Sequence, residues 1–104
     1  MSSTDQIMSS IKKIVLADVP DGRIFLFGSR ARNTATNESD WDILVLTQTA
    51  VSKTLKNEIQ QGIFPLSIEI GSFINIILVQ ETEWLNDPSY YSLRQNISAE
   101  VIPA

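Results

Sequence analysis

The sequence predicts an α/β fold of the mixed α+β kind: a small mixed β-sheet flanked by helices. Three observations lead there. Short apolar runs at 23–27, 41–46 and 73–79 are bounded by glycines or polar residues, as buried strands are. Helical patterning precedes the first run and fills the gap between the second and third. The 104 residues contain no repeat, low-complexity segment or linker, so residues 1–104 are expected to form one domain.

The elements follow in order. Ser3 or Thr4 can cap a first helix, with Asp5 suited to its positive end. Ile7, Ile11, Ile14 and Val15 give that helix one apolar face. Val19-Pro20-Asp21-Gly22 breaks it with turn chemistry. Arg23 to Phe27 is the first strand, and Ser29 to Ser39 is a polar loop that can open with a helical turn. Trp41 to Leu46 is the second strand. Val51 to about Ile70 is mostly helix, starting near Ser52, stopping around Gly71, and expected to kink or split at Pro65. Phe73 to Val79 is the third strand and the most hydrophobic. Glu81 to Leu85 suggests a helical turn, Pro88 to Leu93 a short last helix, and Ala99 to Ile102 an edge strand.

Composition removes whole classes of chemistry. There is no cysteine, so disulfides and thiolate metal sites are excluded. There is no histidine, which excludes imidazole ligands, Ser-His-Asp triads and histidine general bases. Any catalysis must run on carboxylates, hydroxyls, amides, Lys and Arg. The net charge of −4 argues against a nucleic-acid partner, since eight Lys plus Arg scattered along the chain make no basic face. No apolar run approaches the roughly 18 residues of a membrane span. The first residues lack a basic region followed by an apolar core, so a cytoplasmic location is expected. A domain this small is expected to lean on a partner or on a homo-oligomer for part of its stability.

The informative stretch runs from Phe25-Leu26-Phe27-Gly28-Ser29, through ten residues, to Asp40-Trp41-Asp42-Ile43-Leu44-Val45. A strand ending at Gly28 lets backbone N–H groups approach a ligand, and Ser29 adds a hydroxyl there. A helical turn after it would favour phosphate. Arg30 and Arg32 can steady phosphate as bidentate donors, or can be solvated loop residues. Strand alternation puts Asp40 and Asp42 on one face, on the order of 6.5–7 Å apart along the backbone. Two carboxylates that close repel one another unless a cation lies between them. Oxygen donors on a strand suit Mg²⁺, which combines one or two carboxylates with phosphate oxygens and water. A phosphate grip beside a metal grip is what transfer from a nucleoside triphosphate requires.

This stretch resembles the minimal nucleotidyltransferases of the DNA polymerase β superfamily, whose signature is a strand, Gly-Ser, about ten residues, then Asp-x-Asp opening the next strand. Gly28-Ser29-Arg30-Ala31-Arg32 and Ser39-Asp40-Trp41-Asp42 carry the resemblance. Asn33 stands where a glycine commonly follows the arginine, and Trp41 replaces a small aliphatic. Glu83-Trp84 followed by Asn96-Ile97 and Glu100 looks like the tail of short members. The resemblance implies a nucleotidyltransferase-like fold and nucleotide binding by Gly28, Ser29, Arg30 and Arg32. It makes Asp40 and Asp42 the catalytic carboxylates, binding Mg²⁺ with room for a second ion. It also implies transfer of a nucleoside monophosphate, AMP foremost, from Mg-NTP to a hydroxyl of a protein or small-molecule acceptor. Short members of the superfamily work beside a separate helical protein, such as the HEPN-type toxin of a toxin–antitoxin pair.

Full members of that superfamily carry a third carboxylate on a later strand. The matching strand here offers only Asn75, and the nearest preceding acid is Glu69; these are the candidates for a third ligand. Asn75 can equally be an amide bonded to loop backbone, and Glu69 a surface helix acid. Trp41 and Trp84 read as core or partner-contact residues. The competing function is a catalytically impaired binding or interaction module that keeps the fold.

Overall fold

The computed structural model describes residues 4–30, 40–100 and 102–103. Helix α1, Thr4–Asp18, turns Met8, Ile11 and Val15 inward, with Asp5 in its first turn. Thr4 is already helical, and the proposed cap at Ser3 lies outside the described residues. The turn after α1 is closed by backbone bonds from Val19 to Val15 and from Gly22 to Val19, at 2.8 and 2.9 Å. It delivers the chain into β1, Arg23–Phe27.

A four-stranded sheet follows the order β3-β2-β1-β4. Strand β2, Trp41–Thr47, runs antiparallel to β1 and parallel to β3, Ile74–Gln80. Between β2 and β3 lies α2, Lys53–Ile70. Its start is capped by the Ser52 hydroxyl, which accepts from the Leu55 N–H at 3.0 Å. Its end is closed by Gly71 in the left-handed conformation, whose N–H reaches the Ser67 and Ile68 carbonyls.

Two expectations are corrected here. Pro65 does not split α2, which is continuous from Lys53 to Ile70. Pro65 and Gln61 are both exposed, so the carbonyl freed by the missing N–H lies on the side where water can satisfy it. The tail also differs. After α3, Glu81–Asn86, a 3-10 turn at Pro88–Tyr90 leads into α4, Tyr91–Glu100. Residues 99 and 100 are therefore helical, and the edge strand β4 is only Ile102–Pro103, pairing antiparallel with β1. The reason is packing. Leu93 and Ile97, four residues apart, face the sheet together, and a helix through both buries more than an early strand would.

Strand alternation divides the core in two. On one face Ile24, Leu26, Ile43, Val45, Ile74 and Leu78 pack against α1 and against Ile59 and Ile63 of α2. On the other face Leu44, Leu46 and Val79 pack against Trp84 of α3 and Ile97 of α4. Among the described residues no helix is long and apolar enough to cross a membrane.

Candidate active site

The second face of the sheet is ordered in rows. Arg23, Leu46 and Val79 form the first, Phe25, Leu44 and Ile77 the next, and Phe27, Asp42 and Asn75 the last. The middle row is wholly apolar, and the last carries the polar pair Asp42 and Asn75. Asp42 is half-buried in β2, whereas Asp40, just before the strand, and Asn75 are exposed. All three groups meet. The Asn75 amide Nδ2 donates to Asp42 Oδ1 at 3.1 Å and to Asp40 Oδ2 at 3.3 Å. A backbone bond from the Trp41 N–H to the Phe73 carbonyl, at 2.9 Å, opens the parallel ladder that sets this register.

Gly28 closes the site from the β1 side. It has φ of 76°, in the left-handed region that disfavours a side chain. A second constraint is steric. A Cβ built there would stand 2.5 Å from Asp42 Oδ2, inside contact distance. Glycine therefore lets the chain turn away from β1 and lets the Asp42 carboxylate lie against the turn. The backbone of Gly28–Arg30 forms a single 3-10 turn, with Ser29 at its centre.

Arg30 is drawn back over the sheet. Its guanidinium carbon lies 4.1 Å from the centroid of the Trp41 ring, a cation–π stack. Burial lowers the Arg30 pKa below the ordinary arginine value, and the Asp40 carboxylate acts in the opposite direction. Trp41 itself is 2% exposed and part of the first core. The residue between the two aspartates points to the opposite face, where it forms a platform for an arginine facing Asp40. Sequence reading gave Trp41 as a core or partner-contact residue and missed this platform, because Arg30 and Trp41 lie eleven positions apart and only the fold brings them together.

The structure does not bring Glu69 to this cluster. Glu69 lines a hollow between α1 and α2 with Gln6, Ile7, Ser10 and Leu66. Of the two candidates for the third position, Asn75 is the one beside the aspartates. Arg32 lies outside the described residues. Among the described residues no three His, Cys, Asp or Glu side chains converge as a metal site. Two carboxylates and an amide that could turn its oxygen inward still form an all-oxygen donor set, which fits a hard divalent cation completed by phosphate and water.

A groove of about 440 Å³ runs from Asp40 along the end of α2. Phe64, Ile68 and Phe73 line it, 64%, 67% and 75% exposed. Sequence reading missed it, although α2 carries Phe64 and Ile68 in addition to its core residues Ile59 and Ile63.

The nucleotidyltransferase domain family matches residues 8–89, and the chain belongs to that family. A sequence comparison with curated proteins finds no match. Solved structures agree on the fold. A toxin–antitoxin complex with AMP-PNP is 24% identical with a TM-score of 0.67, over 91% of this chain and 69% of that one. An MntA–HpeT toxin–antitoxin complex is 23% identical with a TM-score of 0.66, over 93% and 70%. A Shewanella oneidensis structure of a tri-AMPylated HEPN toxin with its MNT antitoxin is 20% identical with a TM-score of 0.62, over 97% and 71%. The chain is a nucleotidyltransferase, and its fold is shared by proteins solved in toxin–antitoxin assemblies.

Proposed function

We propose that this chain transfers a nucleoside monophosphate, AMP foremost, from a magnesium-bound nucleoside triphosphate to a hydroxyl of a protein acceptor, acting as the antitoxin of a toxin–antitoxin pair. The carrying observation is the convergence of Asp40 and Asp42 beside the left-handed turn at Gly28. Support for the nucleotide comes from the AMP-PNP complex of one structural neighbour. Support for a protein acceptor comes from the AMPylated HEPN toxin bound by the MNT antitoxin of another. The acidic net charge of −4 suits a protein acceptor better than a nucleic acid.

In the reaction, the acceptor hydroxyl oxygen bonds to the α-phosphorus. The bond from that phosphorus to the α–β bridging oxygen breaks, pyrophosphate leaves, and the hydroxyl proton passes to solvent. The chain's share is positioning and electrostatics. The Gly28 turn lets the backbone come close to phosphate. Arg30, held on Trp41, is set to offset phosphate charge near Asp40. Asp40 and Asp42 would hold Mg²⁺, which when bound supplies charge neutralisation on the triphosphate. Asn75 cannot take the proton, because an amide is no base.

Calorimetric titration with ATP, with and without Mg²⁺, tests the site. Metal-dependent binding is expected, and metal-independent or absent binding would remove the proposal. Transfer of labelled nucleotide to a co-expressed helical partner then tests the reaction. Binding without transfer would identify a nucleotide-binding module instead.

A further inference from the structure

Asn75 occupies an unusual place for a neutral side chain. It is the parallel-ladder partner of Asp42, and one amide nitrogen donates to both carboxylates, at 3.1 and 3.3 Å. The point between two like charges is where a cation would be expected, and here a neutral N–H donor holds it. Asn75 is also exposed, so core packing does not demand an amide there.

Resting on the reading of this cluster as the nucleotide site, we infer that Asn75 stands in for the cation when the site is unloaded and restricts the loaded site to one divalent ion. The argument is one of charge and donors. The two carboxylates are the protein's two anionic donors here, and together with phosphate oxygens they furnish the shell of one divalent ion. A second hard cation in the same row needs another anionic oxygen from the protein, and the ladder position able to supply it holds an uncharged amide. Among the described residues no third acid joins the pair, and Glu69 lines a different hollow. The amide must also respond to loading. Its N–H₂ cannot face a metal ion, so the side chain turns its oxygen inward or swings aside when an ion enters.

The test uses the full chain. Mn²⁺ is titrated by electron paramagnetic resonance and calorimetry, in the presence of a non-hydrolysable nucleoside triphosphate analogue. The parent is expected to bind one ion per chain and Asn75→Asp two. Thermal melts should place metal-free Asn75→Asp below the parent, with the order reversed when Mn²⁺ and the analogue are present. The assigned Asn75 side-chain N–H₂ resonances of the parent should shift on Mg²⁺ addition; this reading needs no variant. Two ions in the parent, a single ion in both proteins, or an unmoved amide at saturation would each overturn the inference while leaving the nucleotide site standing. If neither protein binds ion or analogue, the carboxylate pair is not a nucleotide site and both readings fall.

Discussion

The same three strands end very differently at the two ends of the sheet's second face. At one end Arg23 pairs with Glu81 at 2.6 Å, and Gln48 and Gln80 tie the neighbouring backbone and Glu81 together. Leu46 and Val79 lie beneath, covered by Trp84. Charges there are matched and the apolar surface is roofed. At the other end the row Phe27, Asp42, Asn75 has no helix packed over it among the described residues, with two carboxylates sharing one amide and a glycine in the left-handed region. The comparison teaches that the roofed end contributes stability. The open end gives some of it up to hold two carboxylates side by side, as functional sites do.

The largest expected effect lies at the roofed end. Trp84→Ala should cost about 3–5 kcal/mol, because a 7% exposed indole leaves a cavity over Leu44, Leu46 and Val79. For a folded chain of this size that approaches the whole folding free energy. Urea unfolding followed by circular dichroism checks it. A cost under about 1 kcal/mol would mean that the roof is not a stabilising unit.

At the open end the balance should invert. Asp42→Asn, and separately Asp40→Asn, should weaken Mg²⁺-dependent nucleotide binding by about 100-fold or more. Metal-free stability should hold or rise, since a like-charge contact is removed. Calorimetry paired with thermal melts reads both. A variant that unfolds without changing metal response would make the pair a structural feature rather than a site.

Gly28→Val acts at the same end through the backbone. The left-handed φ should cost a side chain about 1–2 kcal/mol. The added carbon would also push Asp42 away from the turn, so nucleotide affinity should fall further than stability. Unchanged nucleotide binding in a folded Gly28→Val protein would end the phosphate role of this turn.

The smallest effect belongs to the ion pair. Arg23 is more than half exposed, so Glu81→Gln should cost roughly 0.5 kcal/mol and lose that effect in high salt. Melts at low and high ionic strength separate it from Trp84, whose contribution should persist in salt.

Local chemistry was legible in the residues alone. Ser52 and Gly71 mark the ends of α2 because capping depends on neighbours only a few positions away. The strands at 23–27, 41–46 and 73–79 are short apolar runs, and each matches a strand to within a residue or so. Asp40 and Asp42 could be placed on one face because strand alternation is a property of a single segment. Pro65 and the reach of α4 were misjudged for one shared reason. Whether a helix continues depends on what its two faces meet, and those partners are distant in sequence.

What the tertiary structure alone decided is the composition of the site. The parallel register of β2 with β3 puts Asn75, and not Ile74 or Ile76, beside Asp42. A slip of one residue would have placed a branched aliphatic there. The separation of Glu69 from the aspartates and the stacking of Arg30 on Trp41 are likewise set by non-local packing. The sequence by itself determined the three longer strands, the ends of α2, the glycine turn and the carboxylate pair, since each is written within a few consecutive residues. Which third group meets that pair depended on strand register, because hydrogen bonds between strands join residues that no local pattern connects.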